Sequence, residues 1–432
     1  MNTDAPRGSG PAGPASDGNG EPLPGDLAMA RALWPVLLAS AVGLLPFTVF
    51  STYLVPIADR AGSGVAAVGG LRGLGGLAAL LAGTALAPLL DRVRRDRAAA
   101  GALVALGLSS ALGASGELVL LAAFCLLVGA STAVLNPALT AAAADRFGDG
   151  RAAGRAATLV TATQSMTAML AAPAVALPAL LWGWQGDLLA VTAACLLLAA
   201  VLSARGRREA AGHPAGGAPG RQPGYLASFR SLAAVPGAVP LLLVSLLRTA
   251  VFMGYLAYLA AYYDERFRLA PAHFALVWTL SGAAYFVSNL LTGRITNSAA
   301  PRVATERLLI LGLFAALVSV VGFYFTDRLP LALAVTALHA ASHAVVAACA
   351  VSLLVRRCGP RRGTALSLNA AGQSLGVFAG AALGGAGLGL AGNPGIAAVF
   401  GALVVAALGA ALLVPRTPAR EPEAAPHRER TP

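Results

Sequence analysis

Long apolar stretches separated by short polar segments dominate the chain. About a dozen stretches of 18 to 29 residues hold almost no charged side chain, and nearly every arginine lies between them. A helix of about 20 apolar residues crosses the hydrocarbon core of a bilayer and satisfies its own backbone hydrogen bonds there. The pattern predicts twelve membrane-spanning helices, at 33–57, 64–90, 98–115, 117–144, 156–181, 187–204, 238–262, 272–294, 306–325, 330–355, 363–391 and 394–414.

Composition and length agree with a chain embedded in a membrane. Hydrophobic residues make up 57% of the 432 positions, charged residues 12%, and the mean hydropathy is +0.72, unlike a soluble domain. At about 35 residues per helix and loop, twelve crossings leave no room for a large soluble domain. Residues 1–27 and 416–432 are polar and rich in Gly or Pro, so we expect disordered tails. The first apolar run is too long for a cleaved signal peptide and is predicted to be a span.

The two halves of the chain resemble each other. Four residues of the first span recur in the seventh at an offset of 205 positions, and three around the fifth span recur around the eleventh at an offset of 209. The matched sets are Phe47, Tyr53, Leu54 and Asp59 with Phe252, Tyr258, Leu259 and Asp264, and Gly154, Gln164 and Ser165 with Gly363, Gln373 and Ser374. This repeat predicts two six-helix bundles, 28–204 and 238–415, joined by a cytoplasmic linker at 205–237.

The arginines are concentrated in every second loop, on one side of the membrane. The net charge is +12, and 25 of the 31 basic residues lie in segments on the same side as the amino terminus. The positive-inside rule places that side, and both tails, in the cytoplasm. We therefore expect a multi-pass plasma-membrane protein in a lipid bilayer. The scattered charge gives no single basic face for nucleic acid, so no nucleic-acid partner is predicted.

Cysteine spacing and the other reactive side chains indicate no cofactor. The four cysteines show no C-x-x-C spacing, and three fall within predicted helices, so neither a disulfide framework nor a zinc site is indicated. His339 and His343 alone are too few for a metal site. No nucleophile stands with a base near the membrane surface, so we expect no enzyme, no metal and no cofactor.

The loop between the second and third spans carries the most specific motif. It reads Ala87-Pro88-Leu89-Leu90-Asp91-Arg92-Val93-Arg94-Arg95, which resembles the G-x-x-x-D-R-x-G-R-R loop of the major facilitator superfamily, with Ala87 and Arg94 in place of the glycines. The resemblance implies an all-α facilitator fold of twelve transmembrane helices in two pseudo-symmetric six-helix bundles. It further implies a secondary transporter that works by alternating access around a midplane site.

The same resemblance implies a conformational latch on the cytoplasmic side. Asp91, Arg92 and Arg95 would belong to it, with Asp145 at the end of the fourth span as an arginine partner in the inward-closed state. The equivalent loop of the second half has Asn297 in place of the acid, which weakens that half of the latch. The alternative is a plain positive-inside loop.

The eleventh span begins Arg362-Gly363-Thr364-Ala365-Leu366-Ser367-Leu368-Asn369 and is similar to the drug-antiporter-like and arabinose-efflux-like branch. Glycines at 372, 376, 380 and 384 follow as a stripe for close helix packing, either static or sliding. The fifth span departs from the branch, since Ala172-Pro173-Ala174 stands where those antiporters have glycine, proline and glycine. The fourth span also lacks their membrane arginine, so protons stay an open candidate coupling ion.

Two arginines lie inside predicted spans, where a charge costs several kcal/mol and is usually retained for pairing or function. Arg248 is about ten residues into the seventh span, or about 15 Å at a rise of 1.5 Å per residue, and so is near the midplane. Arg72 is nearer the outer side, where it could snorkel to the headgroups. Both are candidate substrate ligands.

Further polar residues are predicted near the midplane. His339 and His343 share one helix face and either could carry a proton or simply bond neighbouring helices. The other candidate ligands are Tyr255, Gln164, Gln373, Asn369 and Asn136. Every acidic residue outside the tails and the linker falls at a span end or in a loop, so no buried carboxylate is expected. A cavity with positive potential favours an anionic or acceptor-rich solute.

The sequence therefore predicts a secondary transporter of a small organic solute, with efflux favoured by the resemblance. Uptake of an organic anion by symport is the alternative. Two other classes of protein are also compatible with the sequence, a non-transporting receptor and a membrane-embedded enzyme. Solute flux in proteoliposomes would separate a transporter from both.

Overall fold

The computed structural model describes residues 25–90, 93–147, 151–210, 230, 232–296 and 303–415. The described chain is helical throughout. The helices, numbered by membrane crossing, are α1 in three segments (Asp26–Val42, Leu45–Thr52 and Leu54–Arg60), α2 (Val65–Leu90), α3 (Arg95–Gly113), α4 (Leu118–Asp145), α5 and α6 within Arg151–Ala210, α7 (Ala238–Phe267), α8 (Pro271–Thr296), α9 (Thr305–Phe325), α10 (Leu329–Cys358), and α11 and α12 within Arg362–Leu412.

Two long helical runs each contain two crossings because a glycine reverses the chain. Gly183 has φ +71° and separates α5 from α6, and Gly392 has φ +60° and separates α11 from α12. Side chains other than glycine rarely adopt such backbone angles. Nine helices of the described part are long and apolar enough to span a membrane, with α11 and α12 counted as one 49-residue stretch. With α3 and α5, the count is consistent with the twelve predicted crossings.

The crossings define two faces of the molecule. The arginine-rich face holds the ends of α2, α4 and α10, with Arg94, Arg95, Arg146 and Arg356. The arginine-poor face holds the turns at 61–64, 114–117, 183, 268–270, 326–328 and 391–392. Because the number of crossings is even, residues 25 and 415 lie at the same, arginine-rich, face.

The two halves contact each other through α2 with α11 and through α5 with α8. A methyl group added at Gly73 would meet the Phe378 carbonyl oxygen at 2.9 Å, and one added at Gly282 would meet Cα of Met169 at 2.7 Å. Nearer the arginine-poor face, the Tyr258 hydroxyl of α7 donates to the Ala381 carbonyl of α11 at 2.7 Å and lies 3.4 Å from the Ala66 carbonyl of α2. These contacts run from the middle of the helices to the arginine-poor face, so the molecule is closed on that face.

The glycine stripe of α11 packs mainly within its own half. A methyl group at Gly376 would meet the backbone of α7 at Leu246 and Ala250, and one at Gly380 would meet the Ala250 carbonyl. Of the two roles expected for the stripe, this arrangement favours static close packing. The packing also buries α7 within the second half. In the most apolar 18-residue stretch of α7, 61% is buried, against 22% in that of α8.

Candidate functional site

Arg248 of α7 is buried and only partly hydrogen-bonded. The side chain is 5% exposed, and its Nη2 donates to the Thr249 hydroxyl at 2.9 Å. Its Nε and Nη1 are buried without a hydrogen-bond partner. A guanidinium carries five N–H donors, and these two nitrogens hold three of them. Arg248 therefore presents a buried positive charge and three N–H donors that have no acceptor.

His343 of α10 packs against Phe252, which lies one helical turn after Arg248 on α7. The imidazole is fully buried, and both of its ring nitrogens lack a hydrogen-bond partner. The centroids of the His343 and Phe252 rings are 5.2 Å apart, and Phe252 stacks on Tyr285 of α8 at 5.3 Å. Residues of α7, α8 and α10 thus build one aromatic and basic cluster.

His339, one turn earlier on α10, is hydrogen-bonded at one ring nitrogen. Its Nδ1 and the Ser319 hydroxyl of α9 share a hydrogen bond at 2.9 Å, and the same hydroxyl lies 2.9 Å from the Ala316 carbonyl oxygen. Nε2 is buried without a hydrogen-bond partner. The centroids of the His339 and His343 rings are 4.4 Å apart, so the two histidines form one buried pair.

Tyr255 contributes mainly to packing. Its hydroxyl shares a hydrogen bond with the Thr336 hydroxyl of α10 at 2.8 Å, and Tyr263 reaches the same hydroxyl at 3.0 Å. Its ring lies 4.3 Å from that of His339. Tyr255 thus fixes α7 against α10 and borders the histidines.

The predicted amide ligands divide between the halves. Gln164 donates to the Asn136 side-chain oxygen at 3.2 Å within the first half. Gln373 donates to the Ser245 hydroxyl at 3.3 Å in the second, and the Ser245 carbonyl accepts from Thr249, the residue bonded to Arg248. Asn369 is buried, and its Oδ1 has no partner. The structure brings Gln373 near Arg248 and leaves Gln164 and Asn136 paired with each other.

Arg72 is held inside the first half. Its Nη1 donates to the Ser51 hydroxyl of α1, and its guanidinium lies over the Phe47 ring at 5.4 Å from the centroid. The side chain is buried and is directed into the bundle, so it does not snorkel to the headgroups.

The latch residues are only partly described. Asp91, Arg92 and Asn297 lie outside the described residues. Arg95 and Asp145 form an ion pair at 3.6 Å with both side chains exposed. The pair joins α3 to α4 within one half, in a molecule closed on the opposite face. It borders a cavity of about 260 Å³ that is also lined by Arg94, Arg146 and Arg205.

The expectation of no buried carboxylate is wrong for Asp187. This residue is 4% exposed, because the turn at Gly183 folds Trp182 back over it. The Trp182 indole donates to Oδ1 at 2.8 Å, and Oδ2 has no partner. Hydropathy placed Asp187 correctly at a span end but could not show the fold of the turn.

Sequence reasoning also missed Phe252 and Tyr285 as parts of the site. A signal existed for Phe252, since it lies four residues after Arg248 and so on the same helix face. Tyr285 on α8 carried no such signal. For metals, the described residues contain no group of three or more His, Cys, Asp or Glu side chains able to hold an ion.

These features define a multi-pass helical membrane protein with two packed halves and a buried polar site between its helices. The chain belongs to the Major Facilitator Superfamily, whose family model matches residues 36–305 and 273–432. No curated protein matches the sequence. The predicted family and twelve-helix facilitator fold are thereby confirmed, whereas the efflux-type branch stays a prediction.

Solved transporters share this fold along nearly the whole chain. A bacterial homologue of the human lysosomal transporter Spinster, solved inward-facing and unoccupied, aligns with a TM-score of 0.69 at 16% identity, covering 90% of this chain and 95% of its own. The nucleoside transporter NupG aligns with a TM-score of 0.69 at 12% identity, covering 89% and 98%. The human organic anion transporter MFSD10 (TETRAN) aligns with a TM-score of 0.57 at 18% identity, covering 89% and 99%.

Proposed function

We propose that this protein is a secondary transporter that carries a small organic anion across the plasma membrane by alternating access, with Arg248 as the anion ligand. The arginine-rich face is cytoplasmic in this proposal, following the positive-inside rule. The structure closed on the arginine-poor face is then the inward-facing state. Efflux is the preferred direction because the eleventh span resembles the efflux branch.

The observation that carries the proposal is the pair of unpartnered nitrogens on Arg248. Within the described residues no carboxylate forms an ion pair with this guanidinium. A buried charge without a partner costs several kcal/mol, and membrane proteins retain such charges for function. The oxygens of a carboxylate, sulfonate or phosphate would supply the missing acceptors through charge-assisted hydrogen bonds.

The residues around Arg248 favour an organic anion as the substrate. Phe252 and Tyr285 supply aromatic packing one helical turn from Arg248, and Gln373 of α11 bonds Ser245 beside the Arg248 and Thr249 pair. An organic anion uses both kinds of surface, whereas a lipophilic cation would meet the charge of Arg248. Among similar structures, one is named as an organic anion transporter and another as a nucleoside transporter, which supports a small polar organic cargo.

Flux measurements in proteoliposomes test this function. Carboxylates, matched neutral amides and matched amines of similar size should be compared at equal concentration in inside-out and right-side-out vesicles. We expect flux for the carboxylates only, with accumulation in the direction that corresponds to export. Accumulation in the opposite direction would establish uptake instead, and equal flux of all three classes would refute anion selection.

Cysteine labelling tests the orientation. Single cysteines placed at Ala114 and Gly392 should react with impermeant reagents in intact cells. Those placed at Gly150 and Gly220 should react only after permeabilisation. The reverse pattern would place the arginine-rich face outside.

A further inference from the structure

A cavity between α8 and α10 lies outside the site described above. Its volume is about 410 Å³, within the range of about 300 to 1,000 Å³ that is typical of small-molecule sites. Small residues leave it open, with Gly293 on α8 and Ala347 and Ala348 on α10. A methyl group added at Gly293 would meet no atom within 4 Å. The polar residues that line the cavity are Asn289, Thr296, Ser352 and Arg356.

The cavity lies between the arginine-rich face and the aromatic and basic cluster. Asn289 is four residues after Tyr285 on α8, and Ala347 is four residues after His343 on α10. Each therefore lies one helical turn from a member of the cluster. Arg356 is nine residues beyond Ala347, or about 14 Å along α10, near the end of the helix at the arginine-rich face. The cavity thus extends from that face to within one turn of the cluster.

Neutral groups hold the Arg356 side chain in place. Its Nη2 donates to the Thr305 hydroxyl of α9 at 2.7 Å and to the Ser352 hydroxyl at 3.0 Å, and its Nε donates to the Ser352 carbonyl at 3.4 Å. Among the described residues no carboxylate forms an ion pair with Arg356, and Glu306, next to Thr305 in the chain, pairs with Arg357 at 3.1 Å. Arg356 also carries the only charge among the described residues that line the cavity.

We propose that this cavity is a second anion site, in which Arg356 binds the carboxylate, sulfonate or phosphate group of a solute before that group reaches Arg248. A guanidinium binds such groups through charge-assisted hydrogen bonds, and a cleft lined by charge of one sign raises the local concentration of the opposite ion. The proposal rests on the proposed function for the identity of the solute. The alternative is an arginine that only ties α10 to α9 through Thr305, which predicts no charge preference in the cavity.

The charge in the cavity is measured with an introduced cysteine. Val351 lines the same cavity and is 36% exposed, and the four native cysteines are buried, so the parent protein supplies the background. Val351→Cys is reacted in phosphatidylcholine nanodiscs with an anionic and a cationic methanethiosulfonate, the sulfonatoethyl and the trimethylammonioethyl reagents. Each rate is divided by the rate of the same reagent with free 2-mercaptoethanol.

Three further variants are compared in this background, namely Arg356→Gln, Arg356→Lys and Arg294→Gln. Arg294 is exposed near the same end of α8 and is not among the residues that line the cavity, so its variant removes an equal charge from the same face. The salt concentration is about 0.15 M, at which charges more than about 8 Å apart are largely screened. We expect the anionic reagent to be favoured about tenfold in Val351→Cys. The preference should be lost with Arg356→Gln, largely retained with Arg356→Lys, and nearly unchanged with Arg294→Gln.

Occupancy of the cavity is measured by protection. Benzoate should slow the labelling of Val351→Cys by the uncharged methyl methanethiosulfonate, whereas benzamide, its neutral counterpart, should not. The protection should persist in Arg248→Gln, which separates this site from the first, and should be lost in Arg356→Gln.

Equal normalised rates of the two charged reagents in Val351→Cys would overturn the proposal, and this readout needs no variant of Arg356 to fold. A preference that survives Arg356→Gln, or that falls equally in Arg294→Gln, would also overturn it, because the charge would then belong to the whole face. Carboxylate flux in proteoliposomes without protection by benzoate would refute this site and leave the proposed function intact. Protection without any anion flux would retain an anion site at Arg356 and refute the proposed function.

Discussion

The two halves each bury one arginine in the membrane, and the two arginines differ in their surroundings. Arg72 of the first half donates to Ser51 and lies over the Phe47 ring, so its charge has a local partner and an aromatic face. Arg248 of the second half donates to its neighbour Thr249 and keeps two nitrogens without partners. Both side chains are buried, so it is the number of hydrogen-bond partners that distinguishes a structural arginine from a candidate ligand.

The same contrast extends to the other polar groups. In the first half Gln164 bonds Asn136, and Asp187 accepts from Trp182 at Oδ1 while its Oδ2 has no partner. In the second half His343, His339 and Asn369 keep unpartnered atoms close to α7 or α11. Among the described residues, most of the buried polar atoms without a partner therefore lie in the second half. Each prediction below tests that asymmetry.

The largest effect is expected from the arginines themselves. Arg248→Gln removes the charge, and a charge-assisted hydrogen bond contributes about 1.5 to 3 kcal/mol, so anion affinity should fall roughly ten- to a hundredfold. Arg248→Lys keeps the charge without the planar donor geometry and should retain weak binding. Expression-normalised binding measures both.

Arg72→Gln is the matched control for this comparison. Because the described contacts of Arg72, to Ser51 and to the Phe47 ring, lie within its own bundle, the variant should lower the amount of folded protein and leave the affinity of the folded fraction close to that of the parent. Parental affinity in Arg248→Gln, or a comparable loss in Arg72→Gln, would remove the distinction between the halves.

The next-largest effect is expected at the contact between Tyr258 of the second half and α2 of the first half. A methyl group at Gly69 would fall on the ring of Tyr258, whereas one at the neighbouring Gly70 would meet the Tyr258 hydroxyl at 3.8 Å, an ordinary contact. Overpacking costs about 1 to 3 kcal/mol. Gly69→Ala should therefore shift the population roughly five- to a hundredfold toward a state open on the arginine-poor face.

Labelling of a cysteine introduced at Ser51, with an impermeant reagent, reports this opening. Gly70→Ala should label at the parental rate. Equal rates in Gly69→Ala and in the parent would mean that Tyr258 does not hold the face closed.

A smaller effect is expected at the latch of the first half. Asp91→Asn should slow turnover by up to about fivefold, since exposed ion pairs contribute at most about 1 kcal/mol. Equilibrium anion binding should hardly change because the sequence predicts the latch in a cytoplasmic loop and Arg248 near the midplane. Stopped-flow flux and binding on the same preparation separate the two quantities, and parental flux in a well-inserted variant would argue for a plain positive-inside loop.

The smallest effect compares the repeated glutamines. Gln373 bonds Ser245 beside the Arg248 and Thr249 pair, so Gln373→Ala should weaken binding by a few fold, in line with about 1 kcal/mol for a neutral hydrogen bond. Gln164→Ala breaks only the contact with Asn136 and should leave affinity unchanged. Equal losses in the two variants would indicate a site shared by both halves.

Much of the fold could be read from local composition. The predicted seventh span, 238–262, begins at the residue where α7 begins, although α7 runs on to Phe267. The prediction of the first span, 33–57, was less accurate, since α1 starts at Asp26 and is broken near Gly43 and at Tyr53. Hydropathy averages over such breaks because a short loss of helical geometry does not change how apolar a segment is.

Of the candidate site, the sequence indicated the depth of Arg248 and the shared face of His339 and His343, because both follow from helix geometry. It did not indicate Tyr285, which meets Phe252 only through the packing of α8 on α7. It listed both Arg72 and Arg248 as candidate ligands, since a bonding partner 21 residues away, such as Ser51 for Arg72, leaves no local trace.

The sequence by itself determined the membrane environment, the number of crossings and the family, because the thickness of a bilayer sets the length of an apolar helix and the family motif has a fixed spacing. Only the tertiary structure decided which arginine keeps nitrogens without acceptors, where Asp187 is buried and which face is closed. Those outcomes depend on contacts between helices far apart in the chain, and a hydrogen bond or an ion pair is decided by tenths of an ångström in the packing of those helices.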